Sequence, residues 1–305
     1  MSLTVNGPAP ARSMLFVPAS RPDRIAKAVA SAADAVCIDL EDAVAVDDKP
    51  AARAHAIRAF LDLDFGPRLR ILRINGLDTP FAYRDLIEVV EGAGQNIDLI
   101  MLPKAGARED VCFVDRLLSQ LEMHRGLERP IGIEVQIESA AGFLNIREIA
   151  SASPRLEAII FGPGDYAASL RMPQTSIGEP DGNDALYGAH RWHAVMHAIV
   201  AAGRANNLRC MDGPYAGFND EAGFERSCRM ARVLGFDGKQ CIHPKQLAKA
   251  NEVFSPSAEE VAYAERIVQA CEGRGAATLD GKMIDAANFR MSRWVVEQAR
   301  RIRAR

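Results

Sequence analysis

Short runs of apolar, often β-branched residues alternate along the chain with longer stretches whose apolar positions recur every three to four residues. The strand-like runs fall at 13–18, 35–40, 69–75, 99–104, 131–138, 156–161, 208–212 and 238–243. Helical spacing fills 22–33, 50–61, 80–91, 109–123, 185–206 and 220–234 between them. Runs that are apolar on both faces and joined by helices read as buried parallel strands. Eight such units predict an α/β chain folded as a (β/α)8 TIM barrel. A doubly wound sheet stays open as the alternative, because the seventh run is short and polar.

Beyond residue 250 the pattern changes. A helical stretch opens at Pro256 and runs to about 272, Gly273-Arg274-Gly275 interrupts it, and 284–305 reads as a last helix. That is too much chain for one closing barrel helix. The expected division is therefore a catalytic barrel over 1–252 and a C-terminal helical lid or extension over 253–305, which packs as a small subdomain or reaches another subunit. The stretch 171–184, rich in Gly, Pro, Asn and acidic residues, reads as a long loop on the barrel rim.

Composition narrows the classes. The chain has 305 residues, 48% of them hydrophobic, enough for a large core. Lys plus Arg is 37 against 40 Asp plus Glu, a net charge of −3, which gives no general attraction to nucleic acid or anionic membrane. No apolar run approaches the ~20 residues of a spanning helix. Residues 1–11 lack a basic region followed by an apolar stretch, so no signal peptide is expected. Six cysteines at 37, 112, 210, 228, 241 and 271 include no C-x-x-C pair. Sparse cysteines in a long chain read as a reduced, cytoplasmic protein.

In a parallel barrel, chemistry collects at the C-terminal ends of the strands. Here those ends carry Asp39-Leu40-Glu41-Asp42, Arg73-Ile74-Asn75, Pro103-Lys104, Glu134-Val135-Gln136-Ile137-Glu138, Gly162-Pro163-Gly164-Asp165 and Gly238-Lys239-Gln240-Cys241-Ile242-His243. Carboxylates without a His or Cys set point to a hard, oxygen-seeking divalent ion such as Mg2+, and Glu138 with Asp165, on adjacent strand ends, are the natural pair. The same residues would also make an ordinary salt-bridge network with Arg73 and Lys104. Gly162 and Gly164 allow a sharp turn and a close approach to ligand, or simply a strand-to-helix turn. His190, His193 and His197 have helical spacing but no acidic partner, and read as a helix face. The six arginines from Arg290 to Arg305 read as a solvated face that complements the helix dipole.

The segments Arg12-Ser13-Met14-Leu15-Phe16-Val17-Pro18 and Ser20-Arg21-Pro22-Asp23 resemble the opening of the citrate lyase β-subunit and malyl-CoA lyase family, of the HpcH/HpaI aldolase type. Asp39-Leu40-Glu41-Asp42-Ala43-Val44, Leu72-Arg73-Ile74-Asn75, Leu102-Pro103-Lys104, Glu134-Val135-Gln136-Ile137-Glu138-Ser139 and Phe161-Gly162-Pro163-Gly164-Asp165 follow in the family's order. So do Asp212-Gly213-Pro214, Gly235 to Lys239, Ile242 to Gln246, and Gly281-Lys282-Met283-Ile284-Asp285-Ala286, which is similar to the family's C-terminal lid motif.

The resemblance implies a barrel enzyme that breaks or forms a carbon–carbon bond in 3-hydroxyacyl-CoA thioesters, yielding an acyl-CoA and a 2-oxo acid. It implies Mg2+, with Mn2+ as the alternative, held by Glu138 and Asp165, with Arg73 on the reacting oxygens and Asp285 as a proton carrier serving a neighbouring subunit. Phe16, Arg21 and Gly164 fall where the family contacts CoA or substrate, and Asp39, Glu41 and Asp42 where acidic groups hold metal-bound water. A homotrimer or homohexamer follows from the same likeness. The segment 176–187 and His190-Arg191-Trp192-His193 are similar to malyl-, methylmalyl- and citramalyl-CoA lyases. One departure is Gln240, where such lyases often carry Trp. The alternatives are a citrate lyase β-subunit acting on a carrier-bound citryl thioester, and a non-catalytic acyl-CoA or dicarboxylate binding module.

Overall fold

The computed structural model describes residues 10–187, 190–272 and 276–304. Eight parallel strands close into a barrel in sequence order: β1 Ser13–Pro18, β2 Ala35–Asp39, β3 Leu69–Arg73, β4 Leu99–Leu102, β5 Gly132–Ile137, β6 Leu156–Phe161, β7 Arg209–Asp212 and β8 Gly238–Cys241. Closure is made by β1 pairing with both β2 and β8. The doubly wound alternative is thereby excluded. The short, polar β7 is fully buried and bridges β6 to β8.

Helices α1 Pro22–Val29, α2 Lys49–Asp62, α3 Ala82–Ala93, α4 Arg108–Arg125, α5 Ala140–Leu144, α6 Ile146–Ala150, α7 Pro163–Ser169, α8 Asp184–Tyr187, α9 His193–Ala205, α10 Glu221–Leu234 and α11 Leu247–Val253 surround it. The expected single helix over 185–206 is two. Asp184 explains the break: its carboxylate accepts from Asp181 N and from the Arg191 guanidinium, tying the loop across the gap.

Alternation along the strands builds two cores. Leu15, Val17, Val36, Ile38, Leu72, Ile100, Val135, Ile159 and Phe161 face the helices in one large cluster. The interleaved Met14, Ala35, Cys37, Ile71, Leu99, Met101, Ile160 and Met211 fill the barrel lumen. The period of two therefore places Phe16, Asp39, Arg73, Gln136, Glu138 and Gln240 in the lumen-facing row, above that apolar floor.

The tail adds α12 Ala258–Cys271, a hairpin of β9 Ala277–Leu279 and β10 Lys282–Ile284, and α13 Ala286–Arg303. The hairpin is absent from the sequence reading, although Asp280-Gly281 announces it. Both residues have positive φ, 50° and 73°, as a two-residue primed turn requires. The Gly273-Arg274-Gly275 break lies outside the described residues. A small cluster of Ile267, Cys271 and Ile284 with Phe289 holds the tail to itself.

Candidate active site

At the C-terminal mouth a cleft of about 490 Å³ is lined by Phe16, Asp39, Asp42, Arg73, Glu138, Gly164, Asp165 and Gln240, among others. That is the size of a small-molecule site. Parity delivers the strand residues. Asp165 arrives differently, in the first turn of α7, which Pro163 starts immediately after β6. Gly162 permits that turn: a Cβ there would sit 2.5 Å from the Glu138 side chain.

Glu138 is buried at 2% exposure. Its Oε1 accepts from Lys104 N at 2.7 Å and its Oε2 from Gln136 Nε2 at 2.7 Å. Burial, followed by the charges of Glu41 and Asp165, pushes its carboxyl up to about 8. An ionised group so placed lacks a compensating cation. A divalent ion between Glu138 and the exposed Asp165 supplies one, and both carboxylates retain free lone pairs toward the cleft. The donor set is all oxygen, so the residues fit Mg2+.

Arg73 forms a two-pronged pair with Asp39, Nε to Oδ1 at 2.7 Å and Nη2 to Oδ2 at 2.6 Å. Its Nη1 lies 2.9 Å from Glu41 Oε2, yet that buried oxygen receives no well-aligned hydrogen bond. The contact is therefore ionic and leaves Glu41 under-satisfied. Burial raises the Glu41 carboxyl despite Arg73 and Lys104. Phe16 stacks under Arg73, with the guanidinium carbon 5.0 Å from the ring centroid. Burial opposes the Arg73 charge, but Asp39 and Glu41 outweigh it, so the group stays cationic.

Two residues expected at the site lie elsewhere in this chain. Arg21 precedes α1, exposed and paired with Asp23 at 3.0 Å, while Arg24 one turn on lines the cleft. Asp285 caps α13: its Oδ1 accepts from Ala287 N and Asn288 N at 2.8 and 3.1 Å, and it does not line the cleft of its own chain. Gln136, a strand-end residue given no role from sequence, shares the inward parity of Glu134 and Glu138 and lines the cleft. Asp42 is exposed and reaches Lys104 Nζ at 3.2 Å. His193 and His197 are exposed on α9 with rings tilted 30° to each other, a solvated helix face, whereas His190 precedes the helix and stacks on His193. The buried Asp212–Lys239 pair lines a separate, mostly apolar cavity of about 150 Å³ with Trp192 and Met196.

Residues 12–244 match the family model for HpcH/HpaI aldolase/citrate lyase. The chain is 45% identical to the L-malyl-CoA/beta-methylmalyl-CoA lyase of Cereibacter sphaeroides, across 100% of both chains. It is 37% identical to the malyl-CoA/beta-methylmalyl-CoA/citramalyl-CoA lyase of Chloroflexus aurantiacus, covering 90% of this chain and 83% of that one. Among solved structures it resembles the protein CitE of Mycobacterium tuberculosis in complex with magnesium, acetoacetate and coenzyme A. There the TM-score is 0.76 and the identity 31%, over 95% of this chain and 98% of the other.

Proposed function

The chain belongs to the HpcH/HpaI aldolase/citrate lyase family, and from that premise we propose that it is a Mg2+-dependent carbon–carbon lyase of free 3-hydroxyacyl-CoA thioesters. Malyl-CoA, methylmalyl-CoA and citramalyl-CoA are its candidate substrates, split into an acyl-CoA and a 2-oxo acid. The observation that carries the reading is the convergence of Glu138, Asp165 and Arg73 on one cleft. Full-length likeness to lyases of CoA thioesters favours a free thioester over a carrier-bound one.

Glu138 and Asp165 would hold the ion, which when bound supplies Lewis acidity and a template for the carboxylate and oxygen of the 2-oxo acid half. Cleavage breaks the bond between the thioester α-carbon and the hydroxyl-bearing carbon. The electron pair moves onto the thioester as an enolate while the hydroxyl loses its proton. Arg73, fixed in orientation by Asp39, meets the developing oxyanion charge without titrating. The enolate carbon then takes a proton to give the acyl-CoA. Asp285 of another copy of this chain is the donor we assign, since its own cleft does not contain it. Delivery by a closing lid also excludes water, and makes the working unit a homo-oligomer.

The test is a panel of the three thioesters with Mg2+, following oxo-acid release together with free thiol. Oxo acid without free thiol is the expected result, and thiol release without oxo acid overturns the reading. For the shared site, Asp285→Asn protein is mixed with Arg73→Ala protein. Asn caps a helix as well as Asp does, so only the titratable proton is lost. Mixed oligomers should regain activity that neither variant has alone; no recovery after demonstrated subunit exchange means that Asp285 serves its own chain or is not the proton donor.

A further inference from the structure

Lys104 follows β4 with φ of 52°, in the left-handed region that a residue with a Cβ seldom occupies. Such strain persists only where the surroundings over-determine it. Two sets of bonds do so. The backbone N–H donates to Glu138 Oε1 at 2.7 Å. The ammonium, reaching the opposite way, donates to Glu41 Oε1 at 2.7 Å and lies 3.2 Å from Asp42 Oδ2. The other oxygen of Glu41 lies 2.9 Å from Arg73 Nη1.

We infer that Lys104 is a positioning residue that couples the two halves of the site, its strained backbone orienting Glu138 and its ammonium orienting Arg73 through Glu41. The catalytic consequence rests on the lyase reading above. The physical argument is one of charge and geometry. Glu41 is buried, and Arg73 alone leaves its Oε2 without an aligned donor. The Lys104 cation offsets the cost of keeping Glu41 ionised, and an ionised Glu41 holds the second edge of the Arg73 fork while Asp39 holds the first. The left-handed φ sets the angle between this N–H and the Cα–Cβ bond, so that the N–H meets Glu138 while the same residue's side chain reaches Glu41. One residue is thus placed to set the orientation of both the ion-holding carboxylate and the oxyanion-facing guanidinium.

Four variants separate the two jobs. Lys104→Met keeps the stem, the N–H and the backbone strain but removes the charge, and Lys104→Arg restores a cation. Lys104→Gly relieves the strain that Lys104→Ala retains. The readings are kcat and KM on malyl-CoA, Mg2+ affinity by calorimetry with Mg2+ alone, and the thermal midpoint. We expect Lys104→Met to lose about tenfold or more in kcat, with Mg2+ affinity no weaker than about threefold below wild type and Lys104→Arg recovering most of the loss. Lys104→Gly should melt a few degrees above Lys104→Ala. Full kcat in the Met variant overturns the relay, as does Mg2+ affinity falling in step with kcat. Equal melting of the Gly and Ala variants overturns the strained-backbone half. A wild-type protein inactive on every thioester would condemn the lyase reading instead, while the melting and calorimetric comparisons still judge the role of the Lys104 backbone.

Discussion

The two ends of the barrel both carry rings of charge, and they treat it oppositely. At the N-terminal end carboxylates are paired with arginines at close range: Arg12 with Asp34 at 2.7 Å, Arg70 and Arg129 with Asp98 at 2.9 and 2.8 Å, Arg155 with Asp115 and Glu122 at 2.7 and 2.6 Å. Burial works against the Asp98 and Asp115 charges, but their hydrogen bonds win and hold both carboxyls below the usual range. At the mouth, Glu41, Glu138 and Asp165 crowd together, Arg73 and Lys104 are shared, and burial pushes Glu41 and Glu138 up. Satisfied pairs at the base stabilise the fold. Uncompensated ones at the mouth are destabilising until an ion or substrate arrives, as a binding site requires. Glu134, buried in the lumen with Arg209, and Glu157 at the start of β6 depart from this pattern: burial raises both carboxyls away from the mouth.

Breaking the mouth should give the largest effect on activity with little harm to the fold. Glu138→Ala or Asp165→Ala should cost more than about 100-fold in Mg2+-dependent turnover, beyond the range for residues that merely support a ligand. With no metal present, Glu138→Ala should melt no lower than wild type. Circular dichroism melts with and without EDTA check this, and a large metal-free loss of stability would sink the contrast.

Arg73→Lys keeps the charge but not the fork. Its kcat should fall on the order of 100-fold. A change confined to KM would assign Arg73 to binding alone.

A smaller effect concerns pH. A carboxyl raised in the folded state stabilises below its unfolded value, and that stability is lost as pH rises through the folded value. For Glu138 that window runs from about the ordinary glutamate range, near 4.3, to about 8. Metal binds the ionised form, so saturating Mg2+ should raise the melting temperature more at pH 8 than at pH 6. Equal shifts at both values would remove the need for a cation at Glu138.

The smallest effect on activity belongs to the base. Asp98→Asn should destabilise by roughly 1–3 kcal/mol while leaving kcat unchanged. The Asp98 carboxyl is lowered on folding, so the stability it adds is present above the ordinary aspartate value and disappears as pH falls through the folded value. Wild type and variant should therefore converge in stability under acid, as urea melts at pH 7 and pH 3 would reveal.

Periodicity, turn residues and charge placement are local properties, and they made most of this molecule readable from its sequence. Eight apolar runs separated by helical spacing, each ending in polar residues, gave the barrel and the end at which chemistry sits. Strand ends put Glu138 and Arg73 at one mouth of the barrel. Closure was not local. Whether β7 joins β6 to β8 depends on the pairing of strands far apart in sequence, because hydrogen bonds to both neighbours, not its own polar composition, settle it. The site's wiring depended on closure as well. Lys104 meets Glu41 across 63 positions, and Gln240 reaches Gln136 across 104. Arg21 shows the converse: it sits in a motif-like segment, yet Asp23, two residues on, claims its side chain. Competition of that kind is local, whereas long-range partners such as Lys104 and Glu41 are fixed by three-dimensional packing, which the order of residues along a chain does not encode.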